Sequence, residues 1–149
     1  MKLLFVCTGN ICRSPLAEGF IRYLCFKKSL DLECDSAAIY NYHTGSHPDP
    51  RAIQIAENYG FDISHLKARK INKSDFSNFD LIIGMDKNHI KELNKINKYN
   101  KNICLYLNFS QNLKNNDVPD PYYGSLIDFE RSFNLIRIGA EAIINELFN

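Results

Sequence analysis

The segment Cys7-Thr8-Gly9-Asn10-Ile11-Cys12-Arg13-Ser14 sets a thiol and a guanidinium six residues apart, with a glycine and an asparagine between them. The apolar run Leu3–Val6 before it reads as a buried strand, and Ser14-Pro15 reads as the N-cap and first residue of a helix. A loop joining two such elements leaves several backbone N–H groups without partners. Curled, those groups form an anion nest at the positive end of the helix dipole. Gly9 and Asn10 are residue types that tolerate the left-handed angles a curl needs. A free thiol has a pKa near ~8.5, and a helix N-terminus can bring it down to roughly 3.5–7.5. Cys7 is therefore read as a nucleophile and Arg13 as a bidentate clamp on a tetrahedral oxyanion. Ser14 offers its hydroxyl to the thiolate, and Thr8, Gly9, Asn10, Ile11 and Cys12 complete the phosphate-binding loop. Thiolate, guanidinium and amides together suit attack on the phosphorus of a phosphate monoester. The loop lacks the G-x-x-x-x-G-K-[ST] pattern, which argues against a nucleoside triphosphate.

Expelling a poor leaving group from a phosphate monoester calls for a proton donor on a second loop. Taken alone, the stretch Val118–Gly124 reads as a turn before the last helix. Beside the Cys7 loop, Asp120 is the candidate donor: Pro119 and Pro121 flank it and stiffen the backbone, and Tyr122 and Tyr123 follow as aromatic walls. Cys12 lies in the same tight loop as Cys7, where it is read either as the partner in a reversible disulfide that shields the nucleophile or as a small buried residue. Cys25, Cys34 and Cys104 lack metal-ligand spacing and read as core thiols. No metal or other cofactor is expected. His43, His47 and His89 have no convergent partners in the sequence and read as surface residues. Lys67, Arg69, Lys70 and Lys73 read as a solvated basic face.

The elements that must position these groups alternate along the chain. Helical spacing continues through Leu16, Phe20, Tyr23 and Leu24 to about Lys28, and Leu32–Ile39 suits a second strand. Pro48-Asp49-Pro50 opens another helix with Gly60 as its stop. Phe79–Gly84 reads as a third strand, Asp86–Ile96 as a helix and Ile103–Leu107 as a fourth strand. Leu126–Phe148 reads as a long amphipathic closing helix, and the Asn- and Lys-rich stretch Asn88–Asn116 as solvated loops and helix faces. The pattern predicts an α/β fold: an open four-stranded parallel sheet with helices on both faces, in a single domain over residues 1–149. Ligands of such sheets bind at the carboxyl ends of the strands, which is where Cys7 falls.

Composition narrows the class further. With 18 Lys+Arg against 17 Asp+Glu the net charge is +1, which argues against nucleic-acid binding. The run Leu3–Cys7 is too short for a membrane span or a secretory signal core, so no membrane partner is expected. Five cysteines without framework spacing point to free thiols and a cytoplasmic setting.

The loop Cys7–Ser14 resembles the signature loop of the low-molecular-weight protein tyrosine phosphatases, at the same place after a short first strand. Ser36-Ala37-Ala38 is similar to that family's second-strand exit, Pro48-Asp49-Pro50-Arg51 to its P-D-P-R-A helix start, and Asp120-Pro121-Tyr122-Tyr123 to its acid loop. The resemblance covers essentially the whole chain. It implies a three-layer, Rossmann-like phosphatase fold. It also implies hydrolysis of phosphotyrosine through a phosphocysteine, with Cys7, Arg13 and Asp120 as catalytic residues. By resemblance Ile11 projects into the pocket mouth, where a smaller threonine marks the family's phosphoarginine phosphatases, and Tyr42 lies in the variable substrate loop. Ser36 matches a serine that bonds the loop asparagine, here Asn10. His65 is displaced by one residue from the family's H-x-A-R motif, so that histidine's role is not carried over. The implied partners are tyrosine-phosphorylated proteins, a tyrosine kinase among the candidates, and phosphate-like anions in the site; a monomer or weak dimer is expected. The alternatives are a phosphoarginine phosphatase, an arsenate reductase and a non-catalytic phosphoprotein-binding module. Arsenate reduction wants extra paired cysteines around Leu81–Lys91, and the sequence has none there.

Overall fold

Strand β1, Lys2–Cys7, alternates its side chains between two apolar layers. Leu3, Phe5 and Cys7 face the larger layer, and Leu4 and Val6 face the smaller one. A strand buried on both faces needs helices on both sides, and the rest of the chain supplies them. The computed structural model describes residues 1–98 and 102–149. Residues 99–101, within the Asn- and Lys-rich stretch, lie outside the described residues.

After β1 come α1 (Arg13–Lys28), β2 (Glu33–Ala38), α2 (Pro50–Asn58), a short α3 (Asp75–Asn78) and β3 (Leu81–Gly84). Then follow α4 (Lys87–Ile96), β4 (Ile103–Leu105), two 3-10 turns at Tyr106–Phe109 and Gln111–Leu113, and α5 (Leu126–Phe148). All strand pairs are parallel, in the order β2-β1-β3-β4. The chain leaves β1 toward β2 on one side and later reaches β3 on the other. The carboxyl end of β1 is therefore the topological switch point, where open α/β sheets bind ligands.

Local chemistry sets the helix ends. Lys27 and Lys28 occupy the last turn of α1, which closes on Ser29 in a left-handed conformation (φ 55°). The Asp49 side chain accepts from the Arg51 N–H and Pro50 takes the first position of α2. Asp86 and His89 form a capping box on α4, as Ser125 and Asp128 do on α5. α1, α2 and α5 cover the larger layer, closed by Phe129, Phe133, Ile136 and Ile143; Phe76 and Leu93 close the smaller.

Four sequence expectations shift. Ser14 is not the N-cap of α1: the helix starts at Arg13, Cys12 precedes it, and the Ser14 hydroxyl turns inward. The third strand begins at Leu81, because Phe79 ends α3, which forms where Asp75 gathers the Arg69 side chain and the Asn72 N–H. The fourth strand stops at Leu105. Beyond it Tyr106 turns into the core and its hydroxyl donates to Ile136 O at 2.8 Å. Arg69 also leaves the expected basic face: it pairs with Asp35 and Asp75, each at 3.0 Å, while Lys67, Lys70 and Lys73 stay exposed.

Candidate active site

The loop from Thr8 to Cys12 curls over the end of β1 and feeds α1. Asn10 supplies the left-handed turn (φ 58°). Gly9 does not take a positive φ; it is needed because the His43 ring packs where its side chain would begin, with Cδ2 at 2.9 Å from a Cβ placed there. Three main-chain bonds pin the curl from outside: Ile39 N–H to Cys7 O, Tyr40 N–H to Thr8 O and Asp49 N–H to Ile11 O. Among the described residues, no backbone N–H from Thr8 to Arg13 finds a protein acceptor, the condition for an anion nest.

Behind the loop runs a directed chain of hydrogen bonds. Asn10 Nδ2 donates to Ser36 Oγ (2.9 Å) and to Ser14 Oγ (2.7 Å), and its Oδ1 accepts from the Arg69 N–H (3.1 Å). Ser36 Oγ donates to Glu18 Oε1 at 2.6 Å, and Arg22 Nε donates to Glu18 Oε2. Burial holds the Glu18 pKa above the ordinary carboxylate value despite these donors. At the other end Ser14 Oγ lies 3.0 Å from Cys7 Sγ.

Arg13 is buried, with 2% of its surface exposed. Its Nη1 donates to Asp86 Oδ2 and to Val118 O, both at 2.8 Å, and Nη2 donates to Thr8 Oγ1 at 3.3 Å. Burial opposes the guanidinium charge, but Cys7 and Asp86 outweigh it and hold the pKa above its ordinary value. Burial likewise opposes the Asp86 charge, and its neighbours His89 and Arg13 overcome it, leaving the carboxyl below the usual range. Asp120 stands at the pocket rim with Oδ2 3.7 Å from Arg13 Nη2, and its Oδ1 accepts from the Tyr122 N–H. Val118 N–H donates to Met85 O, which ties this acid loop to the end of β3.

One pocket collects these groups: Cys7, Thr8, Gly9, Ile11, Cys12 and Arg13 form its floor, and Tyr42, His43, Asp120, Tyr122 and Tyr123 its walls. Asn10, Ser14 and Ser36 stand behind it. Tyr42 stacks on Tyr40 with ring centres 5.1 Å apart, and Tyr123 projects into solvent. Burial, then the Cys7 charge, pushes the Cys12 thiol up. Burial also takes Cys34 and Cys104 up to about 12.

Two histidines depart from the surface expectation. His43 is half-buried over Gly9 and against the Tyr122 ring at 5.9 Å. His89 is 1% exposed and touches Thr8 and Asp86, because α4 starts at the same sheet edge as the Cys7 loop. His47 stays at the surface, as does His65; Leu66 occupies the place matching the motif histidine and packs on the core. Sequence reading also passed over Asp86, Glu18 and the reach of Arg51. An acidic residue directly after a core strand of a parallel sheet was the available signal for Asp86. Among the described residues no helix is long and apolar enough to cross a membrane.

Comparison with known proteins bears on this arrangement. The family model described as low molecular weight phosphotyrosine protein phosphatase matches residues 2–149. A Drosophila melanogaster protein, low molecular weight phosphotyrosine protein phosphatase 1, is 39% identical, covering 97% of this chain and 96% of its own. An Entamoeba histolytica protein tyrosine phosphatase, solved with Hepes in its active site, superposes with a TM-score of 0.92 at 36% identity, over 99% of this chain and 96% of its own. A drosophila arginine phosphatase gives 0.92 at 28% identity, over 100% and 99%. Fold and site thus define a parallel α/β hydrolase of phosphoric monoesters. The chain belongs to the low molecular weight phosphotyrosine protein phosphatase family.

Proposed function

We propose that this chain hydrolyses phosphotyrosine in proteins through a covalent phosphocysteine on Cys7. The observation that carries the reading is the convergence of Cys7, Arg13 and Asp120 on one pocket, with aromatic side chains at its mouth. In the first step Cys7 sulfur attacks phosphorus in line and the bond to the tyrosine oxygen breaks. The equatorial oxygens rest on the loop amides and Arg13, and Asp120 gives its proton to the departing phenolate. In the second step Asp120, now a carboxylate, takes a proton from water. That water attacks the phosphocysteine, releasing inorganic phosphate and the Cys7 thiolate. Thiolate, guanidinium and main-chain dipoles supply the charge, so the scheme uses no metal or other cofactor.

Ile11 is buried where it lines the pocket, and Tyr42 and Tyr122 add flat apolar faces suited to an aryl ring, with Tyr123 extending past the mouth into solvent. Those residues favour a phosphotyrosine side chain over a flexible phosphoguanidinium. The proposed partners are tyrosine-phosphorylated proteins. Release of phosphate from an aryl phosphate, a phosphotyrosine peptide and a phosphoarginine peptide at mildly acidic pH tests the reading. Turnover of the first two above the third is expected. Preference for phosphoarginine contradicts the substrate assignment, and absence of turnover on all three contradicts catalysis.

A further inference from the structure

Arg13 has five N–H hydrogens to place. Both on Nη1 are taken, by Asp86 and Val118, and one on Nη2 goes to Thr8 Oγ1. That leaves the hydrogen on Nε and one on Nη2; with Thr8 taking the Nη2 hydrogen on the Nη1 side, the two share one edge of the guanidinium and make the fork that grips an oxyanion. Which way that edge faces depends on the acceptors of the other three. Asp86 and Val118 are fixed by a helix cap and a main-chain tether. Thr8 is a rotatable hydroxyl on the loop itself, and something must fix it.

His89 is placed to do so. Its Nδ1 accepts the Asp86 N–H at 3.1 Å, so in the neutral ring the hydrogen sits on Nε2, 3.0 Å from Thr8 Oγ1. Burial, then the Arg13 charge, brings the ring's pKa down to about 4 and keeps it neutral. The 3.5 Å approach of Nε2 to Arg13 Nη2 then sets two donors side by side, so it is not a hydrogen bond. Thr8 oxygen accepts from both His89 and Arg13, which leaves its own hydrogen to turn toward the pocket it lines. Gly84 admits this close approach: a Cβ there would meet Ile90 Cδ1 at 2.8 Å and His89 Cβ at 3.1 Å.

We propose that His89 and Thr8 are positioning residues for phosphate binding, the imidazole setting the Thr8 hydroxyl and the hydroxyl setting the guanidinium edge that meets the anion. This rests on the phosphate-site reading above. The competing role for His89 is its part in the α4 capping box alone, and two substitutions separate the roles. In His89→Asn the side-chain oxygen still caps Asp86 N–H, but nothing reaches Thr8. In His89→Gln the amide reaches Thr8 in place of Nε2. Thr8→Val removes the shared acceptor without touching α4, and Thr8→Ser restores it.

The experiment is calorimetric titration with inorganic phosphate, alongside KM and kcat for an aryl phosphate. Thr8→Val and His89→Asn are expected to weaken phosphate binding and raise KM by about tenfold, the worth of one hydrogen bond to a charged group, with kcat little changed. Thr8→Ser and His89→Gln stay near wild type, and the Thr8→Val/His89→Asn double variant matches either single one. Wild-type phosphate affinity in Thr8→Val, or losses in His89→Gln as large as in His89→Asn, overturns the proposal. In either case an active wild-type enzyme leaves the phosphatase reading standing. A wild-type chain that neither binds phosphate nor turns over substrate removes both.

Discussion

Ser14 Oγ lies 3.0 Å from Cys7 Sγ, and the polarity of that contact is settled from behind. Asn10 Nδ2 already donates to the same oxygen at 2.7 Å, so the serine hydrogen is free to point at sulfur. In the proposed mechanism that hydrogen stabilises the thiolate before attack and again when the phosphocysteine breaks. Ser14→Ala is expected to slow breakdown of the phosphoenzyme by about tenfold, the usual effect of losing a hydrogen bond to an ion. Pre-steady-state kinetics checks this as a larger burst of phenol before slower turnover. An unchanged second step shows the hydroxyl to be a loop brace and no more.

The acid role proposed for Asp120 requires its loop to be held over the nest, and Arg51 holds that loop. Arg51 Nη1 donates to Gly124 O (2.8 Å), Nη2 to Tyr122 O (2.9 Å), and Asp49 anchors the guanidinium from below. Asp120→Asn is expected to cut kcat for phenyl phosphates by roughly 10²–10⁴. Arg51→Ala gives a smaller loss of the same kind, growing as the leaving-group phenol becomes less acidic. A rate plot over a series of substituted phenols measures both. Equal losses for good and poor leaving groups would separate Arg51 from proton transfer.

Cys12 shares the pocket floor with Cys7, and its thiol stays protonated through burial and the neighbouring Cys7 charge. In the proposed redox step peroxide would convert Cys7 to a sulfenic acid, and attack by the Cys12 sulfur, with loss of its proton, would expel water and form a disulfide. Thiol mapping after peroxide treatment is expected to show a Cys7–Cys12 bridge, with activity restored by dithiothreitol. Cys12→Ser is expected to lose activity irreversibly. Recovery of activity without any bridged peptide rejects the idea.

Burial of neutral His89 also sets a stability trend. Its pKa falls from 6.5 in the unfolded chain to about 4 in the fold, so between those values the unfolded chain binds the extra proton. The stabilising contribution is complete above about 6.5 and is lost as pH falls toward 4, on the order of a few kcal/mol in total. Denaturant unfolding of wild type and His89→Asn across this window is expected to show a shallower acid decline in the variant. Parallel curves would mean the ring titrates normally.

The strand, loop and helix around Cys7 were legible because their signals are local: an apolar run, a turn-forming Gly-Asn pair and a proline at the helix start. Asp120 was legible through its flanking prolines and the tyrosines behind it. Asp86 and His89 were not, since they lie more than 70 residues from Arg13 and Thr8 in the chain. Only the sheet order, which sets β3 beside β1, brings them to the nest. Ser14 was misread as a cap because cap statistics do not weigh a buried amide and sulfur competing for the hydroxyl. His43 reaches Gly9 through the fold of its own loop, which composition does not encode.

The proposed chemistry turns on covalent transfer to one sulfur. Wild-type enzyme mixed with an aryl phosphate, quenched in acid within the first turnovers and digested for mass spectrometry should carry one phosphoryl group on the peptide containing Cys7. Cys7→Ser should show neither that group nor turnover, while still binding inorganic phosphate. A phosphoryl group on another residue, or sustained hydrolysis by Cys7→Ser, contradicts it.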